Sequence, residues 1–224
     1  MSQKVKLSKR QIKEDKFTGI MLRSRGWFRD NWQFVAIGVA ALILITSGAS
    51  YWSSSRDAAG LEAAGQLSRA MSDYRSGNLQ VATLGLQAVL DDHGSSSSAP
   101  QATFLLGNIN LDSRNYPEAM RYYEMYLSKY HDDRVIRASC LAGIATCHED
   151  QAQYAEAAEK FSAAYDEMTD GPLAGAYLTA AMRCYLAAGD PASAEMRLDL
   201  IKQDFQDTNL LARAVRLFYE MSVG

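Results

Sequence analysis

Residues 104–123, Phe-Leu-Leu-Gly-Asn-Ile-Asn-Leu-Asp-Ser-Arg-Asn-Tyr-Pro-Glu-Ala-Met-Arg-Tyr-Tyr, decide how the chain is read. An apolar run containing Leu106-Gly107 leads to a turn at Asn115 and to Tyr116-Pro-Glu-Ala119, with Tyr123 one helical turn beyond the alanine. Proline has no N–H to give to a helix interior but loses nothing in a first turn, so Pro117 predicts the start of a second helix. The same arrangement recurs in Gly77-Asn-Leu-Gln-Val-Ala82, Gln153-Tyr-Ala-Glu-Ala157 and Gly189-Asp-Pro-Ala-Ser-Ala194. Ala82, Ala119, Ala157 and Ala194 are spaced by 37, 38 and 37 residues. A period of that size predicts stacked helix–turn–helix units. Pro100 and Pro172 are expected to open first helices, and Pro117 and Pro191 second helices. Gly107 with Ala119, and Ala145 with Ala157, are expected where the two helices of a unit cross, because larger side chains there would force the helices apart.

These residues resemble the tetratricopeptide repeat family, whose unit carries Leu-Gly on its first helix, then Tyr, then Ala and an aromatic on its second. The second unit matches through Leu106-Gly107, Tyr116-Pro-Glu-Ala119 and Tyr123, and the third through Ile144-Ala145, Tyr154-Ala-Glu-Ala157 and Phe161. The fourth keeps Tyr185, Gly189, Asp190, Ala194 and Leu198, and the first keeps Ala70, Gly77, Ala82 and Leu86. The expected fold is all-α: about four repeats over 60–94, 100–133, 138–170 and 173–207 within 60–207, closed by a capping helix over 208–224. That cap is drawn from the apolar face Leu210, Leu211, Ala214, Val215, Leu217, Phe218 and Met221, since a repeat stack needs its open end covered.

The resemblance implies a surface for peptides or proteins on the concave face of the first helices. By register that face would include Leu67, Met71, Tyr74, Phe104, Asn108, Leu111, Thr146, Glu149, Arg183 and Leu186. It lacks the basic cluster with which some members of the family hold a terminal carboxylate, since Phe104 stands where a Lys would be expected. Met71, Tyr74, Phe104 and Leu111 would suit extended apolar segments, because soft and aromatic side chains adapt to many partners. The competing reading makes several of these positions core between stacked units.

Ahead of the repeats, residues 34–50 carry no charge and predict one transmembrane helix over 33–52. Trp27 and Trp32 before it, and Tyr51 and Trp52 after it, are expected as interfacial anchors, with 53–59 as a linker. Residues 1–29 hold nine Lys/Arg against Glu14 and Asp15, within a basic tail over 1–32, whereas the rest of the chain nets −10. Basic flanks stay in the cytoplasm and attract anionic lipid, so the N-terminus is expected there and the acidic C-terminal part outside the cytoplasmic (inner) membrane, in a periplasm where an outer membrane exists. A cleavable signal peptide ending near Ser47-Gly-Ala49 is the alternative.

The sequence holds no Gly-rich phosphate loop, Gly-x-Ser-x-Gly, His-Glu-x-x-His or Cys-x-x-Cys. No catalytic residue, cofactor or metal site is therefore expected, and no enzyme. Cys147 and His148 are adjacent on a predicted helix and point apart, and Cys140, Cys147 and Cys184 are expected as small buried residues. Nucleic acid is not an expected partner, because no folded module presents the tail's charge. Basic tail, single span and acidic repeat domain together resemble the single-span ancillary subunits of the bacterial protein-export translocon. That implies a scaffold or chaperone beside the Sec channel whose partners are translocon subunits, periplasmic chaperones or exported chains. The alternative is a dedicated structural subunit of one membrane complex.

Overall fold

The computed structural model describes residues 31–130, 133–206 and 209–222; the side chains of Val35 and residues 48–55 lie outside that description, as do Trp27 and nearly all of the basic tail. The described residues form α-helices and no strands. In chain order these are α1 (Trp32–Arg75), α2 (Leu79–His93), α3 (Ala99–Asp112), α4 (Tyr116–Lys129), α5 (Arg134–Asp150), α6 (Tyr154–Glu167), α7 (Ala174–Ala187), α8 (Pro191–Asp204) and α9 (Asn209–Ser222). The chain divides into two compact units, Met1–Ala58 and Ala59–Gly224.

In the second unit, each first helix ends in the same way. Gly77, Arg114, Ala152 and Gly189 all take positive φ, of 78°, 58°, 57° and 78°. At each turn two backbone bonds close the helix: Gly77 N–H to Tyr74 O with Asn78 N–H to Asp73 O, and likewise Ala152 N–H to Glu149 O with Gln153 N–H to His148 O. This pair of bonds satisfies carbonyls that a helix C-terminus would leave orphaned. Two of the four positions are not glycine, and a left-handed residue with a Cβ costs about 1–2 kcal/mol. Ala152→Gly relieves that cost and loses part of it to unfolded-state entropy. It is expected to raise stability by about 0.5–1 kcal/mol in a urea titration.

The repeating alanines Ala82, Ala119, Ala157 and Ala194 are fully buried. Ala119→Leu is expected to lower the urea midpoint by the equivalent of about 1–3 kcal/mol, because a closed helix crossing has no room for three more carbons. One close contact bridges two repeats at Tyr123 of α4. A Cβ built on Gly107 of α3 would lie 2.5 Å from Tyr123 Cε1, and one built on Gly143 of α5 would lie 2.5 Å from Cε2. The ring is therefore held between glycines of two successive first helices, and its hydroxyl donates to Asn108 Oδ1 at 2.8 Å. At the C-terminal end α9 packs on α7 and α8, with Leu210 set against Gly175.

Three local expectations change. Residues 53–59, expected as a linker, are helical, since Ser53-Ser-Ser-Arg-Asp-Ala-Ala contains neither Gly nor Pro to stop α1. The third repeat begins at Arg134 rather than 138, because Asp133 caps α5 by accepting from the N–H groups of Val135 and Ile136. Pro172 lies two residues ahead of α7 instead of opening it. Pro100, Pro117 and Pro191 do occupy first-turn positions.

In the first unit, the described side chains of residues 32–34 and 36–47 are exposed on every side of α1, among them Phe34 at 73% and Leu44 at 72%. Among the described residues, no helix is long and apolar enough to cross a membrane. The span expected over 33–52 also draws on Val35 and residues 48–52, whose side chains lie outside the description.

Candidate functional site

The candidate surface is built on the first helices α1, α3, α5 and α7, which repeat at 37–38 residues and so place equivalent side chains in columns. One column is Met71, Asn108, Thr146 and Arg183; the next is Tyr74, Leu111, Glu149 and Leu186. Leu67, expected on this surface, is 8% exposed and belongs to the core formed with Ala70, Leu86 and Leu106. Its side chain shares one core with Leu86 of α2 and Leu106 of α3, and only its edge reaches the surface. Met71 and Tyr74 are half-buried beside the same core. Phe104 and Leu111 are half-buried against the cluster around Tyr123, with the Phe104 and Tyr123 ring centroids 6.3 Å apart.

Polar members of the set are held by the protein itself. Asn108 accepts the Tyr123 hydroxyl, and the Thr146 hydroxyl donates to Ala142 O at 2.9 Å. Arg183 and Glu149 form an ion pair at 2.6 Å that links α7 to α5. The Tyr74 hydroxyl donates to Asp112 Oδ2 at 3.4 Å, and its pKa is raised by partial burial and by the Asp112 carboxylate. The surface is thus graded: apolar and partly open at the first two repeats, an ion pair at the third and fourth, and Leu186 half-buried at the far end.

Two grooves lie outside the expected set. A cavity of about 510 Å³ opens between the second helices α2 and α4, floored by Leu90, Tyr122 and Met125 and edged by Asp91, Arg121 and Lys129. The Arg121 guanidinium lies 4.1 Å over the Tyr122 ring and pairs with Glu118 at 2.6 Å. A smaller groove of about 250 Å³ runs along one face of α1, over Ala64, Leu67, Ser68, Met71 and Arg75. The i, i+3, i+4, i+7 spacing of that last set is visible in the sequence once α1 is known to continue through Arg75.

No reactive pair forms at Cys147-His148. Burial pushes the Cys147 thiol up to about 11, and His148 Nδ1 lies 2.7 Å from Gln153 Oε1. Cys140 and Cys184 are likewise buried free thiols, each pushed up to about 12 by desolvation. Among the described residues, no group of three or more His, Cys, Asp or Glu is placed to hold a metal. Of the expected anchors, Trp32 is 59% exposed, while Trp27 and the side chains of Tyr51 and Trp52 lie outside the description.

Helix–turn–helix pairs of near-constant period, stacked through small residues and ended by identical turns, define a helical-repeat protein. The chain belongs to the tetratricopeptide repeat-like domain family, whose model matches residues 25–169. Its fold is similar to that of a tetratricopeptide repeat protein from Parabacteroides merdae ATCC 43184, with a TM-score of 0.61 and 16% identity. That similarity covers 73% of this chain and 61% of the other, so this chain spans less than two thirds of the solved protein. No curated protein matches the chain.

Proposed function

We propose that this protein is a single-span, membrane-anchored interaction scaffold that serves protein export, holding translocon subunits, chaperones or exported chains on the first-helix surface of its repeats outside the cytoplasmic membrane. The observation that carries the anchor is α1 between Trp32 and Ser47, apolar on all sides and uncovered by any described residue. A helix of that kind needs lipid or a partner around it. Its Thr46 hydroxyl turns back onto Leu42 O at 2.9 Å, so that side chain brings no unsatisfied donor into hydrocarbon. The family match begins at residue 25, ahead of this stretch, so the family's model takes in this stretch as well as most of the repeats. The nine basic residues before it favour a cytoplasmic N-terminus.

The client surface is the partly open Met71, Tyr74, Phe104 and Leu111. The variant Phe104→Ala with Leu111→Ala is expected to reduce crosslinking of exported chains several-fold. It should cost about 1–3 kcal/mol of stability, since both side chains also touch the Tyr123 cluster. Undiminished crosslinking by the folded double variant would move the clients elsewhere. The export role itself is tested by purifying the full chain in mild detergent with quantitative mass spectrometry. Substoichiometric recovery of the translocon with varied secreted chains is expected, and one fixed set of membrane proteins at constant stoichiometry would instead make the chain a structural subunit of that complex.

A further inference from the structure

The column containing Arg75 changes sign along the stack. At the corresponding position one repeat on, Asp112 accepts the hydroxyl of Tyr74 at 3.4 Å, and two repeats on, Asp150 accepts that of Tyr116 at 3.1 Å. The first two internal junctions thus set an acid against a phenol of the preceding repeat, whereas the third has Ala187 at that position. At the first repeat, which no repeat precedes among the described residues, the acid is replaced by Arg75, and no described residue supplies that guanidinium with an anion.

The neighbouring column behaves in parallel. Leu105 and Gly143 are buried, and the space over Gly143 is filled by Tyr123 from the second helix of the repeat before it. Their counterpart in α1 is the exposed Ser68, which with Ala64, Leu67 and Met71 forms the floor of the 250 Å³ groove that Arg75 closes. We infer that this end of the stack receives a helix from another protein, seated where a preceding second helix sits at internal junctions, with apolar side chains over Leu67 and Met71 and a carboxylate on Arg75.

Charge fixes the chemistry of the occupant. The repeat unit is acidic as a whole, so an unpaired guanidinium at the edge of an apolar groove favours a carboxylate and disfavours a cation. Small Ala64 and Ser68 leave the backbone of α1 accessible, which a helix can approach closely and a bulky loop cannot. Met71 also belongs to the proposed client surface, so the inference rests partly on that reading; Ser68 and Arg75 do not, and they separate the two.

The test is photo-crosslinking in the native cells of the full chain carrying benzoylphenylalanine in place of Ser68, with adducts mapped by mass spectrometry. The expected adduct falls in a helical segment of another protein, with Asp or Glu within one turn of the crosslinked residue. It should drop at least tenfold in Arg75→Glu and less in Arg75→Gln, while Phe104→Ala with Leu111→Ala leaves it unchanged. Retention of the thermal transition by each variant confirms that the fold is intact. An adduct to a second copy of this chain, an adduct to an extended segment, no adduct, or an adduct indifferent to the charge at 75 would each overturn the proposal. Loss of the adduct in the Phe104/Leu111 variant would show that Ser68 reports only the client surface.

Discussion

Tyr123→Ala is expected to destabilise the repeat unit by about 3–5 kcal/mol, the range for emptying a buried aromatic site. Gly143→Ala should cost a further diagnostic amount for the opposite reason, too much volume instead of too little. Alanine improves helix propensity over glycine by about 1 kcal/mol, which opposes the effect. The clash wins because the ring cannot withdraw: leaving Gly143 drives it into Gly107, whose own Cβ position is also 2.5 Å from the ring. A net loss of about 1–2 kcal/mol follows, and combining Gly143→Ala with Tyr123→Leu should cost less than the two changes added separately. Gly65→Ala is the control, since nothing lies within 4 Å of its Cβ position and propensity alone then raises stability by about 1 kcal/mol. A Gly143→Ala protein as stable as the parent would mean that the ring has another place to go.

Stability should also fall steeply in mild alkali. Burial raises the thiols of Cys140 and Cys184 to about 12 and that of Cys147 to about 11, from an ordinary value of 9.0. Above the ordinary value the unfolded chain loses these protons and the folded chain keeps them, so folding is favoured below that pH and the advantage is lost as pH rises toward the folded values. Each thiol contributes a slope of about 1.4 kcal/mol per pH unit, and three together on the order of 4. Denaturant midpoints taken in reductant between about pH 9 and 11 read this slope. The triple variant Cys140→Ala, Cys147→Ala, Cys184→Ala should flatten it; an unchanged slope would assign the effect to other groups, such as Tyr165, which is itself raised to about 12 by burial and by Asp204.

The repeats were legible because their crossings demand small residues, and Ala82, Ala119, Ala157 and Ala194 therefore recur where glycine or alanine alone fits. The turns were half legible. Gly77 and Gly189 signal a left-handed residue, whereas Arg114 and Ala152 adopt the same geometry through backbone bonds that no side chain announces. Asp133 was a readable N-cap, and it places the start of α5 four residues earlier than spacing from the neighbouring repeats implies.

The candidate surface was less legible than the fold. Register places equivalent side chains in columns, but whether a position opens to solvent depends on packing between helices, which buried Leu67 and left Met71 partly exposed. The Glu149–Arg183 pair and the Asn108–Tyr123 bond required distances between separate helices. Gly143 passed unnoticed because its contact is with the preceding repeat, whereas Gly107 meets the same ring within its own.

That shared ring also bears on the order in which the stack comes apart. Repeat arrays gain cooperativity from nearest-neighbour junctions, and the one bridged by Tyr123 joins the second and third repeats through a side chain that neither can release alone. Amide protons of α3, α4 and α5 should exchange last and those of α2, α8 and α9 first. Both terminal repeats can then loosen around an incoming partner while the central pair keeps the chain folded.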